Sequence, residues 1–149
     1  MANPLYGQNK ADDKLDSARA ANDGGYTAIG ATATLSSDNA GVVIITTSGS
    51  AISITLPAHE KGLTFHFIQT DVYDTAVVKV LSADGNDWLG NINAVTGVGD
   101  VAASTDDYVQ FGSGTLAGDS FSIVSSGSKW IVFNSFSSVT TNGVVFGAT

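Results

Sequence analysis

The residue types in this chain that could do chemistry include two histidines, a set of aspartates and abundant serine and threonine, while cysteine is absent. His59 and His66 lie too far apart for one helical turn, and His66 stands in L-T-F-H-F-I (Leu63 to Ile68) on the face opposite Phe65 and Phe67. A zinc site needs three or four converging ligands. With no thiolate to complete one, both histidines are expected as surface or rim residues. Asp84-Gly85-Asn86-Asp87 has the look of a calcium-loop fragment, but the D-x-[DN]-x-[DN]-G pattern and its distal glutamate are missing. A turn in which Asp and Asn bond their own backbone explains the same residues. Asp106-Asp107 and Asp71/Asp74 are the residue types a glycosidase pairs, without an acid partner or flanking cleft in view. No nucleophile elbow, P-loop or dinucleotide fingerprint occurs, and Gly112-Ser113-Gly114 reads as a loop. Tyr26, Tyr73, Trp88 and Tyr108 are the aromatics available for a sugar platform, yet in a β-sandwich most such residues are core or rim. The expectation is a protein with no catalytic activity, no bound metal and no cofactor.

The elements that would position these groups are strands. Gly118 to Phe136 is the clearest: Phe121, Ile123 and Ser125 alternate with Ser120, Ser122 and Val124, Ser126-Gly127 turns the chain, and Trp130, Val132 and Asn134 alternate with Ile131 and Phe133. Two period-2 runs around a short Ser/Gly turn predict a β-hairpin. Its second strand is apolar on both faces, which predicts cover on both sides. Upstream, strands are predicted within Tyr26 to Leu35, Gly41 to Thr47, Ala51 to Leu56 (ended by Pro57), Gly62 to Thr70, Thr75 to Leu81 and Trp88 to Val95. Tyr108 to Phe111 and Val139 to Thr149 complete the set, with Leu63, Phe65 and Phe67 pointing inward. About nine to ten short strands with turns every 8 to 12 residues predict an all-β fold, a single β-sandwich or barrel-like domain. No repeat of fixed period is visible.

At 149 residues the chain suits one domain. Its net charge is −8, and the body from Tyr26 onward holds only Lys61, Lys79 and Lys129 as basic residues. A nucleic-acid footprint wants clustered Lys and Arg, so no direct nucleic-acid partner is expected. No run approaches the ~20 apolar residues of a membrane helix, and the N-terminus lacks the charged start and apolar core of a secretory signal. No membrane partner is expected. Residues 1–24 differ from the rest: they carry Lys10, Lys14 and Arg19 beside Asp12, Asp13, Asp16 and Asp23, with a thin apolar stripe at Leu15, Ala18 and Ala21. They read as an N-terminal arm, extended at first from Asn3-Pro4 and with room for two helical turns capped by Asp12, with Gly24-Gly25 as the hinge into a body spanning 25–149.

Several stretches carry a family likeness. A-N-P-L-Y-G-Q-N-K-A-D-D-K-L-D at Ala2 to Asp16 resembles the N-terminal arms of small structural proteins of marine tailed phages, cyanophages especially. I-T-L-P-A at Ile54 to Ala58, G-L-T-F-H-F-I at Gly62 to Ile68 and G-D-S-F-S-I-V-S-S-G-S-K-W at Gly118 to Trp130 are similar to their bodies. The same motifs also occur in tail-fibre and baseplate proteins. Within that group the resemblance implies a head decoration (cement) protein: a homotrimer on the outer surface of the virion's capsid that clamps the major capsid protein with its arm. The arm would then add Asn3 to Gly7 to an exposed strand edge of the shell, with Leu5 and Tyr6 in shallow pockets and Lys10, Lys14 and Arg19 facing acidic groups. The absence of a collagen-like, coiled-coil or β-helical repeat favours this reading over a fibre shaft. The other reading is a tail fibre or knob that contacts a host glycan.

Overall fold

The computed structural model describes residues 26–46, 49–71, 77–85, 87–95, 99–139 and 143–148. The predicted arm with Asn3, Leu5, Tyr6, Lys10, Lys14 and Arg19 lies outside them, as do Tyr73, Asp74 and Asn86. The described residues form an all-β fold of two mixed sheets packed face to face, a β-sandwich.

The strands are β1 (Tyr26–Ile29), β2 (Ala33–Thr34), β3 (Gly41–Ile45), β4 (Ile52–Thr55), β5 (Thr64–Gln69), β6 (Val78–Leu81), β7 (Trp88–Ile92), β8 (Asp100–Val101), β9 (Tyr108–Phe111), β10 (Ser120–Ser125), β11 (Trp130–Phe136) and β12 (Val144–Gly147). The count exceeds the expectation for two local reasons. The run from Tyr26 to Leu35 bends at Gly30 and passes from one sheet into the other, giving β1 and β2. The two-residue β8 is too short to show any alternation.

A seven-stranded sheet runs β1-β3-β5-β10-β11-β7-β8, and a five-stranded sheet runs β12-β9-β6-β4-β2. The first half of the chain alternates between them. β1, β3 and β5 pair in parallel in the large sheet, while β2, β4 and β6 pair in parallel in the small one. The chain therefore winds through three coils before the antiparallel part begins. Tyr26 pairs with Val42 but Gly41 with Phe65, so the coils lengthen and leave no fixed period in the sequence. This parallel winding is a β-helical feature that the sequence does not reveal.

Period-2 burial follows the predicted faces. Val43, Ile45, Phe65, Phe67, Ile123 and Trp130 of the large sheet and Ile54, Val78, Val80, Val109 and Phe111 of the small one point inward and are buried. Phe67 stacks on Phe121 with centroids 5.0 Å apart, and Phe111 reaches across from the small sheet to the same ring at 5.2 Å. The hairpin turn forms as expected: Ser126 N–H donates to Lys129 O at 2.9 Å, and Gly127 takes φ 99°, a left-handed conformation that favours glycine.

The cover expected over both faces of β11 is not there. Phe133 is 55% exposed and Phe136 is 48% exposed. A β-bulge is responsible for part of this. Ile123 pairs with Val132 but Ser122 with Asn134, so Phe133 is an extra residue and both it and Asn134 face outward.

Candidate functional site

At one end of the sandwich, three connections close over the start of β11. The β4–β5 loop carries His59, the β6–β7 loop carries Ser82, Asp84 and Asp87, and β10 ends in Ser125 just before the hairpin turn. Backbone bonds hold the loops together: Gly62 N–H donates to Ser125 O at 2.8 Å, and Trp130 N–H to Asp87 O at 2.9 Å. The His59 ring lies over Trp130, with centroids 5.1 Å apart. Its Nε2 contacts Asp87 Oδ2 and is 3.8 Å from Asp84 Oδ2. Its Nδ1 is 3.1 Å from Ser125 Oγ, and Ser82 Oγ donates to Asp87 Oδ2 at 2.6 Å. The side chains of His59 and Asp87 are each 7% exposed, whereas Asp84 is 61% exposed.

His59 is thus not the surface or rim histidine expected. The residue types Ser, His and Asp are those of a nucleophilic triad. Ser125, however, is 2% exposed on the inward face of β10, away from solvent. The hydroxyl accepts Gly127 N–H at 3.1 Å and orients the imidazole. What the trio can do is hold the three connections in register around a buried carboxylate.

The second feature is the outer face of the large sheet. Paired residues share a face, so the register defines rows across it. Val42, His66 and Ser122 form one row; Ile44, Ile68, Ser120 and Phe136 a second; Thr64, Val124, Ile131 and Leu89 a third. Tyr26 and Ala28 on β1 extend the first two. No Asp, Glu, Lys or Arg stands at any of these positions. Leu89, Phe133 and Phe136 are each about half exposed, and His66 meets Phe133 edge-on at 6.2 Å while sharing a 2.8 Å hydrogen bond with Ser122. The outer face of the small sheet differs: it carries Ser53, Thr55, Lys79 and Gln110, with the Lys79 ammonium 4.2 Å from the centroid of the Tyr108 ring. Both outer faces mix apolar and polar residues, with Leu81 and Val145 on the small sheet's, but only the small sheet's face carries a lysine.

The remaining candidates resolve into structure. Asp106 accepts Ala103 N–H at 2.6 Å and shapes a turn. Gly112 O accepts the Thr115 hydroxyl at 2.8 Å, so Gly112-Ser113-Gly114 is a loop as predicted. Trp88 and Tyr108 are buried, and Tyr26 is exposed at the sheet edge, so they make no common platform. A cleft of about 320 Å³ between β7, β8 and β12 is lined by Ile92, Ala94, Gly99, Asp100, Val139, Val144 and Val145. Its one carboxylate, Asp100, is engaged by Phe146 N–H at 2.8 Å and Val101 N–H at 3.0 Å. Asp119 was visible only as part of a G-D-x-F pattern. It is fully buried and accepts Leu116 N–H, Ser138 N–H and Ser138 Oγ–H at 3.1, 2.8 and 3.1 Å.

No family model matches the chain, and no curated protein or solved structure does either.

Proposed function

We propose that this chain is a structural virion protein of a tailed phage, a capsid decoration (cement) protein that sits as a homotrimer on the outer surface of the head. The observation that carries the assembly part is the outer face of the large sheet, where Ile44, Ile68, Val124, Ile131, Phe133 and Phe136 stand without any Asp, Glu, Lys or Arg. Copies of a chain with net charge −8 repel one another. A face without charge is where they can meet at least electrostatic cost, and closed symmetry is the usual outcome. The outer face of the small sheet then stays in water. The phage part rests on the resemblance of Ala2 to Asp16 and of the three body segments. In this reading residues 1–24 clamp the major capsid protein, many weak contacts adding up through effective concentration.

The test is a variant starting at Gly25, mixed with capsids that lack the protein. It should keep the melting behaviour of the full chain and form the trimer, yet fail to bind and stabilise capsids. Equal binding by the truncated body would remove the arm from the mechanism.

The tail reading gains one observation of its own. Three parallel coils at the start of the body are the kind of winding that β-helical shafts extend. Antibody labelling of virions separates the two: gold on the head supports decoration, and gold at the tail tip supports the knob.

A further inference from the structure

We propose that His59, Asp84 and Asp87 form a binding site for one divalent transition-metal ion, zinc by ligand chemistry, that fastens the β4–β5 and β6–β7 loops to each other. One ligand atom from each residue lies within 4.8 Å of the other two. Nitrogen and oxygen ligands sit about 2.0–2.2 Å from zinc, so two of them can be up to roughly 4 Å apart. The 3.8 Å between His59 Nε2 and Asp84 Oδ2 falls inside that span. One imidazole with two carboxylates suits zinc better than calcium, which takes six to eight oxygens.

The independent sign is the state of Asp87. Its side chain is 7% exposed, and while Oδ2 takes the Ser82 and His59 contacts, Oδ1 is buried without any hydrogen-bond partner. A buried carboxylate oxygen without a donor is costly, and an ion held by both oxygens of Asp87 would meet it. No Lys or Arg forms an ion pair with Asp84 or Asp87 among the described residues; His59 is the basic group both carboxylates face. The Ser125 hydroxyl can accept a hydrogen bond from Nδ1–H, and in that tautomer the Nε2 lone pair faces the two carboxylates. Three electron-rich atoms facing one another need a proton or a cation between them. An ion at that point cancels the two negative charges, and Ser125 and Ser82 then act as outer partners that orient the ligands. Metal entry widens the direct His59–Asp87 contact. Asp84, being exposed, completes the site from the solvent side and leaves an entry path. In a chain without cysteine, such an ion is a cross-link between loops.

The experiment uses the full chain, stripped with chelator and titrated with zinc chloride by calorimetry, with melting followed in parallel. One zinc per chain is expected, with a rise in Tm that chelator reverses and that excess calcium or magnesium does not reproduce. Asp84→Asn should melt like the parent without metal, because the side chain is exposed, and should bind zinc at least about tenfold more weakly. His66→Asn should bind zinc like the parent. The proposal is overturned if the stripped chain takes up no stoichiometric zinc, if Asp84→Asn binds as tightly as the parent, or if His66→Asn is the variant that loses the metal. None of these outcomes depends on the virion reading.

Discussion

Trp130 and Asp119 show what single residues contribute. Trp130 is completely buried, 5.9 Å from the Phe65 ring and 5.1 Å from the His59 ring by centroid. Replacing it by alanine leaves a cavity beneath the loop cluster as well as in the core. Trp130→Ala should cost roughly 3–5 kcal/mol in denaturant unfolding; a loss below about 1 kcal/mol would show that the site collapses without consequence. Asp119 works by a different mechanism. Its carboxylate satisfies the backbone N–H groups of Leu116 and Ser138 and so ties the β9–β10 connection to the segment after β11. Asp119→Ala strands both donors and should cost about 2–4 kcal/mol, whereas Asp119→Asn keeps an acceptor and should cost less. The ordering of these two variants in urea midpoints is the check.

The β10–β11 hairpin is the element on which the two sheet faces depend. The bulge lets Trp130 and Val132 point inward and then inserts Phe133 before the phase resumes with Ser135 inward and Phe136 outward. On the other side of β11 the ladder also slips by one: Val132 pairs with Gly90, but Ser137 bridges Ala94. Both neighbours thus accommodate the same extra residue. Deleting Phe133 brings both ladders back into step without turning any other side chain to the wrong face. The prediction is a deletion variant that still unfolds cooperatively, with Tm changed by no more than about 5 °C. Loss of the folded state would mean that the bulge is required for more than presenting Phe133. Gly90 limits what the partner strand tolerates. Its φ of 115° is left-handed, and a Cβ there would overlap Val132 O.

For the whole molecule, the difference between its two outer faces is the property with consequences. Phe133 and Phe136 contribute little to the fold of an isolated body because about half of each is already in water. Phe133→Lys with Phe136→Lys should therefore change monomer stability by about 0.5 kcal/mol or less per site. The same pair places charge in the middle of the proposed contact and should convert the proposed trimer to monomer, read by native mass spectrometry or light scattering. A double variant that remains trimeric would move the contact elsewhere. Matching substitutions on the outer face of the small sheet, such as Ser53→Lys, should leave the assembly unchanged.

Strands were legible in the sequence because alternation is a local property: a half-buried strand must place every second side chain inward, and Phe65, Phe67, Ile52, Ile54, Phe121 and Ile123 do so where predicted. The Ser/Gly hairpin and the stop at Pro57 are local in the same way. Strand pairing is not. Nothing in the residues of β1, β3 and β5 says that they lie side by side in parallel, since each pairing closes a long loop of irregular length. The exposed face is not legible in the sequence for a related reason. Ile131 and Phe133 look the same in sequence whether a layer covers them or not. The convergence of His59 with Asp84 and Asp87 was likewise invisible, because the residues come from two separate loops. It took the closing of β6 and β10 against their neighbours, a matter of long-range packing, to bring an imidazole and two carboxylates to one point.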